Sequence, residues 1–331
     1  IFSNKLASIH DVVRFTSDRF LLMNGLLAGD AKPATDALKR IREREKLDVL
    51  TITDERGRVL LRTSDASQVG DDLSHDPLIR AVLEHKASVS ATCMVSLEDL
   101  RREAPELASQ AYLKFIDTPK ARTRQSTEES NGMMLKAAAP ILDPEKRLLG
   151  IVFGGVLLNR NFEIVDRIKQ TVFQNLKYKG KDIGTATIFQ DDLRISTNVK
   201  NEDGSRAIGT RVAEDVYRRV VQEGQPWIGR AFVVNHWYIT AYEPIRELSG
   251  RIIGMLYVGV LEQKYVDLRQ RAVLVFLAIT LLGALVALAL AYFISNKISV
   301  SIKKLASASE QLAHGNLDAQ VEIRSHDELR E

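Results

Sequence analysis

The chain has 331 residues, of which 45% are hydrophobic and 27% charged, and its net charge is +3. That balance excludes a polytopic membrane protein, and near-neutrality offers no concentrated basic face for nucleic acid. A single cysteine, Cys93, excludes an intrachain disulfide framework and a Cys-x-x-Cys-His haem attachment.

Leu6, Ile9, Val13, Phe20 and Leu27 step by helical spacing and predict a long helix over residues 4–27, with Thr16 and Ser17 filling the gap in the stripe. Gly29 and Asp30 end it, and Pro33 opens a second helix through residue 46. Residues 47–53 and 59–62 flank the polar turn Asp54-Glu55-Arg56-Gly57 and predict a hairpin. Asp76-Pro77 opens a helix to residue 84, residues 88–95 are strand-like, and residues 97–115 are helical in composition with an interruption at Pro105. Residues 118–130 read as a polar loop, and 133–141 and 148–158 as two more strands. A second cycle follows. It has a helix over 161–176 carrying Phe162, Val165, Ile168, Val172 and Leu176 on one face, then a hairpin of 185–190 and 193–197 across Asp191-Asp192. A helix over 212–223 and strands at 228–234, 237–242 and 252–261 complete it.

The two cycles are related. Ala137-Ala138-Ala139-Pro140-Ile141 is echoed by Ala241-Tyr242-Glu243-Pro244-Ile245, Gly150 by Gly254, Gly155 by Gly259, and Val156-Leu157 by Val260-Leu261. Every pair is 104 residues apart, which marks an internal repeat. The turns at Asp54-Glu55 and Asp191-Asp192 are farther apart, so the first copy carries extra residues, most simply 97–130. Each copy holds a hairpin, a helical segment and three strands. This is an α+β arrangement of antiparallel sheets with helices covering one face.

Residues 272–294 read AVLVFLAITLLGALVALALAYFI, without a charge. Crossing a bilayer core of about 30 Å takes roughly 20 apolar residues as a helix, so this run is a transmembrane span. Lys264, Arg269 and Arg271 precede it and Lys297, Lys303 and Lys304 follow it, so positive charge does not orient it. No Gly or Pro occurs over 262–270, and a helix continuous from the last strand into the span is expected. Beyond the span, Ile298, Ile302, Leu305, Ser309 and Leu312 form a heptad seam broken by Ser309. Such a seam packs on a symmetry mate, so a parallel homodimer is expected. Gly315 ends that helix, and Ser325-His326-Asp327-Glu328 is a capping box for a second one.

The pieces Ile302-Lys303-Lys304-Leu305, Leu312-Ala313-His314-Gly315-Asn316-Leu317-Asp318 and Asp327-Glu328-Leu329 resemble a HAMP linker, the relay beside the membrane in bacterial receptors. Ser301 stands where that family usually has Pro, and Arg330 where it usually has Gly. Upstream, four stretches resemble the double Cache sensors of the Cache 3/Cache 2 fusion type, over residues 4–269. They are Gly154-Gly155-Val156-Leu157-Leu158-Asn159-Arg160-Asn161, Arg194-Ile195-Ser196-Thr197-Asn198-Val199, Gly204-Ser205-Arg206-Ala207-Ile208-Gly209-Thr210-Arg211 and Trp237-Tyr238-Ile239-Thr240-Ala241-Tyr242. The resemblance implies two PAS-like units along a long N-terminal helix outside the cytoplasm, and residues from 295 onward inside it. The chain then divides into two N-terminal helices at 1–46, a membrane-distal Cache unit at 47–160, a membrane-proximal Cache unit at 161–270, a transmembrane helix at 271–294 and a HAMP linker at 295–331.

No catalytic constellation is evident. The six histidines have no metal-ligand spacing, no glycine-rich loop precedes a helix, and no cofactor is implied. The second copy gathers Arg194, Thr197, Asn198, Arg206, Arg211, Arg230, Trp237, Tyr238 and Tyr242, together with Ser196 and Trp227. Guanidinium forks suit carboxylates and aromatic walls suit an apolar body, so these residues form a candidate site for a small anionic ligand such as a carboxylate. The competing reading pairs the arginines with Asp191, Asp192, Asp203 and Glu243 and puts the aromatics in the core, since alternate strand residues face opposite ways. The first copy offers a smaller set: Arg62, Arg80, Thr92 and Lys136.

The order of sensor, span and relay implies the sensory half of a bacterial transmembrane receptor in the plasma (inner) membrane. Its expected partners are an extracellular small molecule, membrane lipid, a second copy of the chain and, through an output domain beyond residue 331, a cytoplasmic response regulator. The polar HAMP-like segment favours a sensor histidine kinase; a methyl-accepting chemotaxis receptor and a diguanylate cyclase are the alternatives. The chain starts at Ile1 rather than Met and stops at Glu331 inside a helical pattern, so a preceding span and a following output domain are expected.

Overall fold

The computed structural model describes residues 1–27, 34–234 and 236–313. The chain forms two compact units, Ile1–Lys264 and Tyr265–Glu331. The first opens with helices α1 (Phe2–Ser17), α2 (Phe20–Leu27) and α3 (Thr35–Arg44). The single helix expected over 4–27 is therefore interrupted after Ser17. The cause is local. The Thr16 and Ser17 hydroxyls donate back to the Val12 and Arg14 carbonyls at 2.7 Å each, which competes with continuing the helical ladder. The expected breakers Gly29 and Asp30, and Pro33, lie outside the described residues.

Strands β1 (Val49–Asp54) and β2 (Val59–Arg62), helix α4 (Pro77–His85) and strand β3 (Val89–Val95) follow. Asp76 caps α4 by accepting from the Leu78 and Ile79 amides at 2.9 and 3.2 Å, with Pro77 at the first helical position. Next come α5 (Leu97–Glu103), α6 (Pro105–Ala111), the short pair β4 (Leu113–Lys114) and β5 (Glu128–Glu129), and the long strands β6 (Gly132–Leu142) and β7 (Leu148–Leu157). The second cycle holds α7 (Glu163–Phe173), a small hairpin of β8 (Lys177–Tyr178) and β9 (Lys181–Asp182), then β10 (Gly184–Gln190) and β11 (Leu193–Thr197). Helix α8 (Glu214–Tyr217), a π-helical turn at Arg218–Gln222, and strands β12 (Trp227–Val233), β13 (His236–Arg246) and β14 (Ile252–Leu261) complete it. Helix α7 stops short of the expected 176, because Gln174 turns left-handed at φ 50°; Val172 and Leu176 are exposed.

The two five-stranded antiparallel sheets share one topology, β2-β1-β7-β6-β3 and β11-β10-β14-β13-β12. Their register repeats as well. Ile141 faces Gly150 as Ile245 faces Gly254, and Lys136 faces Gly155 as Thr240 faces Gly259. Both first strands bulge at the same place, between Ile52 and Thr53 and between Ile188 and Phe189. Residues 96–131 separate β3 from β6, whereas β12 ends at Val233 and β13 begins at His236. The extra chain of the first copy therefore lies between its third and fourth strands.

The repeated glycines allow backbones to meet. A Cβ on Gly150 would stand 2.3 Å from the Thr53 carbonyl oxygen, and one on Gly254 would stand 2.0 Å from that of Phe189. No side chain fits such a gap without moving a strand. Gly254→Ala is thus expected to lower stability by about 1–3 kcal/mol. A urea midpoint reduced at constant slope is the expected readout, and an unaltered midpoint would contradict the close approach.

One apolar core joins the helices to both sheets. It includes Val13, Leu38 and Val165 from α1, α3 and α7, Leu135 and Val156 from the first sheet, and Ala186, Ile188 and Ile245 from the second. The other face of the first sheet packs Ala138 and Phe153 against Leu78, Val82 and Leu100. The other face of the second packs Phe189, Tyr242, Met255 and Tyr257 against Val199, Val212, Val216 and Val220.

The second unit is described as helix α9 (Gln263–Ala313), 51 residues long. At 1.5 Å per residue it extends about 75 Å. Among the described residues it is the one helix long and apolar enough to cross a membrane. It starts directly after β14, without a loop. Ile298, Ile302 and Leu305 of the expected heptad seam lie on it at 48, 60 and 44% exposure. The motifs from His314 onward lie outside the described residues.

Candidate functional site

Five large side chains converge on the face of the second sheet opposite the shared core. In β13, Tyr238, Thr240 and Tyr242 are buried while Trp237 and Ile239 are exposed, so the strand's alternation divides the candidate aromatics between two faces. The Tyr242 ring lies 4.9 Å from Tyr257 of β14 and 6.3 Å from Phe189 of β10. Arg194 of β11 is 4% exposed and lays its guanidinium 5.2 Å over the Phe189 ring. Its backbone is clamped by a loop folding back over it, with Arg194 N donating to Thr210 O at 2.9 Å and Gly209 N to Arg194 O at 3.0 Å. Its Nε and Nη1 are buried without a hydrogen-bond partner. Burial pushes the Arg194 guanidinium below its ordinary value, against the opposing influence of Tyr257, Tyr242 and Tyr238. Burial pushes all three phenols up, so they are neutral at pH 7. The arrangement is a desolvated cation in an aromatic box.

The other candidates are engaged elsewhere. Thr197 Oγ1 lies 2.6 Å from Thr187 Oγ1, and Asn198 ties β10 to α7 by accepting from Ala186 N and donating to Val165 O, both at 2.8 Å. Arg206 forms a bidentate pair with Asp166 at 2.8 Å on both nitrogens and covers the Phe162 ring at 4.1 Å. Arg230 is on the opposite face of the sheet, paired with Glu262 at 2.7 Å and stacked on Trp237 at 4.9 Å. Of the residues expected to share one pocket, Arg194, Tyr238 and Tyr242 come together, packed with Tyr257 and Phe189. Tyr257 was legible in the repeat: it stands where the first copy has Phe153.

Arg211 belongs to a third arrangement. Its Nε and Nη2 reach Asp192 at 3.0 and 2.6 Å. Arg122 Nε and Arg124 Nη1 approach the same carboxylate at 3.1 and 3.2 Å, and both arginines also pair with Asp191. Arg122 stacks on Tyr217 at 4.0 Å. Backbone bonds reinforce the cluster: Ile116 N to Gly209 O and Glu214 N to Lys120 O, both at 2.8 Å. The extra chain of the first copy is thereby strapped onto the loop that covers Arg194. Arg122 and Arg124 sit in a segment that reads only as a polar loop, so no sequence pattern marked them.

Residues 156–272 match the family Single cache domain 3, and residues 293–331 match the HAMP domain family. Residues 156–272 are thus a single Cache domain, and a HAMP domain follows. The matched Cache residues hold the second sheet and the Arg194 box. No curated protein matches the chain. Among solved structures it is similar to the periplasmic domain of Vibrio cholerae LuxQ, at 11% identity over 78% of this chain and 93% of that one, with a TM-score of 0.43. The V. cholerae histidine kinase DctB sensor domain gives 11% identity over 78% and 91%, with a TM-score of 0.40. The Escherichia coli DcuS sensor domain gives 18% identity over 52% and 96%, with a TM-score of 0.31.

The first sheet, which precedes the matched Cache residues, has a cavity of about 190 Å3 on the equivalent face. Lys136 Nζ lies 2.5 Å from Asp76 and 4.3 Å over the Phe153 ring. Arg62 holds Asp71 through two bonds of 2.7 Å and Glu103 at 3.0 Å. Of the smaller candidate set, Arg80 points to solvent and Thr92 is buried in β3. The Arg62 hydrogen bond holds the Asp71 carboxyl below its ordinary 3.8. Asp76 is also lowered: burial works to raise it, and Lys136 outweighs that. Both contributions to stability are complete above pH 3.8 and are lost as pH falls through the lower folded values. Burial raises Glu103, which opposes the trend. The melting temperature is expected to fall below about pH 4, and Asp71→Asn should flatten that fall while lowering the value at pH 6. An equal acid slope in the variant would contradict this.

Proposed function

We propose that the chain is the sensing and relay region of a bacterial transmembrane receptor, and that a small anion held by Arg194 is its signal. The observation that carries this reading is the buried Arg194 guanidinium, whose Nε and Nη1 lack a partner. An isolated buried charge is costly, and a ligand carboxylate would neutralise it and accept from one of its two edges that lack a partner. Tyr238, Tyr242 and Tyr257 would pack against its apolar body, and their hydroxyls can donate to its oxygens.

The repeated register supports reading the first sheet as a second, membrane-distal Cache unit over 47–160, with the proximal unit over 161–270. Residues before 271 lie outside the cytoplasm in this reading, 271–294 cross the inner membrane, and the HAMP segment from 295 lies inside. Exposed Ile298, Ile302 and Leu305 meet their counterparts in a parallel homodimer. The ligand favours one of two dimer arrangements by its differential affinity, and α9 carries the difference inward. A sensor histidine kinase output, acting on a response regulator, suits this order best; a chemotaxis receptor or a diguanylate cyclase could use the same sensor.

Single cysteines at Ile302 and Leu305, in the full chain in vesicles, test the relay. Crosslinked dimer is expected, at rates that change when acetate, succinate or citrate is added outside. A chain that never crosslinks, or rates that ignore an anion shown to bind, would overturn it.

A further inference from the structure

We infer that the end of the second sheet from which the chain leaves for the span is a docking surface for a bilayer rich in anionic headgroups. The inference rests on the reading that residues 271–294 cross the membrane. Four strands meet at this end. Val233 of β12 faces His236 of β13, Tyr238 faces Leu261 of β14, and Gly184 of β10 faces Val260. Two backbone bonds hold the exit: Leu261 N donates to Ile183 O at 2.8 Å and Glu262 N to Trp237 O at 3.1 Å. The β8–β9 hairpin leads into Ile183, so it stands beside the last residue of β14.

The hairpin carries the charge. Lys179 and Gly180 turn it with φ of 49° and 80°, the left-handed pair that a two-residue hairpin turn favours. Lys177 faces Asp182 and Tyr178 faces Lys181, a register that puts Lys177 and Lys181 on opposite sides of the hairpin. The neighbouring acids are occupied, Asp182 by Lys169 at 2.6 Å and Glu262 by Arg230 at 2.7 Å. Among the described residues Lys177, Lys181 and Lys264 have no ion pair, so this end holds positive charge that the protein does not balance.

Apolar surface lies beside the charge. Phe232 and Trp237 form a cross-strand, edge-to-face pair with ring centroids 5.6 Å apart, and both are about half exposed, as is Leu176 next to the hairpin. Lysines beside exposed aromatic and aliphatic side chains match a headgroup layer, where rings sit at the polar boundary and ammonium groups meet phosphates. Reach selects the occupant. Helix α9 covers residues 263–271 before the apolar run begins, a rise of about 14 Å. A headgroup layer of about 6 Å takes up part of that rise, and the remainder is close to the screening length of about 8 Å. A soluble acidic partner has to be recruited, whereas the bilayer is tethered within range by the chain itself.

The test uses the full chain in sealed vesicles, of phosphatidylcholine alone or mixed with phosphatidylglycerol, with nitroxide-headgroup lipid as the quencher. A fluorophore is placed on Thr171→Cys, two residues beyond the Lys169 that pairs with the hairpin, and for comparison on Ser249→Cys, between β13 and β14 at the opposite end of the sheet. Both positions are exposed, and Cys93 is buried. The 171 label is expected to be quenched in the anionic vesicles and at least tenfold less in the neutral ones, with the 249 label unquenched in both. Lys177→Gln combined with Lys181→Gln should lower the docked-to-undocked ratio about 25-fold, about fivefold for each lysine. Equal quenching in neutral vesicles, a ratio unaltered by the double substitution, or equal quenching of the 249 label would overturn the inference. Shielding of the 171 label from aqueous iodide to the same degree in both vesicles would give the surface to a second copy and overturn it too. Extraction of the chain at alkaline pH would overturn the span, and resistance to it separates that reading from the docking.

Discussion

Asp192→Ala is expected to destabilise the first unit by about 3–5 kcal/mol, the cost of stripping buried cations of their shared anion. Asp192 is 0% exposed and meets Arg122, Arg124 and Arg211 within 3.2 Å. Their side chains are 25, 21 and 11% exposed, so solvent recovers little of the loss. Asp191, at 29%, is left as the remaining carboxylate of the cluster and cannot serve three guanidinium forks. The damage extends beyond one pair, because these arginines fasten the 96–131 segment to the loop over Arg194. For a unit of this size the melting temperature should drop by about 10 °C. A change under about 1 kcal/mol by thermal or urea unfolding would mean that the strap contributes no net stability.

The second large effect has the opposite sign. Arg194→Met removes a buried charge that lacks partners at Nε and Nη1, and methionine keeps the length of the side chain against Phe189. The ligand-free protein is expected to become more stable by about 1–4 kcal/mol, because a desolvated cation gives way to packing. Anion binding should fall about a hundredfold at the same time, since the buried positive charge and its charge-assisted hydrogen bonding to the anion are lost. A residue that only supports the fold cannot produce that combination. If the variant is instead markedly less stable, Arg194 has a protein partner and the reading of the box is wrong.

Much of the fold was legible because the repeat constrains it twice. The 104-residue spacing of Pro140 with Pro244 and Gly150 with Gly254 places β6, β7, β13 and β14 in one register, and the structure keeps that register to the residue. The break after Ser17 was not legible, because hydrophobic spacing continues to Leu27 while two hydroxyls turn the backbone. The site was legible in type but not in grouping. Of four arginines proposed to face a ligand, Arg206 found Asp166 on a neighbouring helix and Arg230 found Glu262 at the end of β14. Arg211 alone took one of the expected acidic partners, Asp192. Which arginine is left unpaired depends on contacts distant in sequence, and no local pattern encodes them. Pairing and alternation then decide the outcome: Trp237 and Tyr238 are neighbours in the chain and lie on opposite faces of the sheet.

Titration calorimetry of the full chain in nanodiscs with acetate, succinate and citrate tests the central claim, that Arg194 is an anion receptor. At least one of these anions is expected to bind at one site per chain, to raise the melting temperature in proportion to ln(1 + [L]/Kd), and to lose its binding in Arg194→Met. Binding that survives in Arg194→Met with undiminished affinity, or no binding of any carboxylate to the wild-type chain, would contradict it.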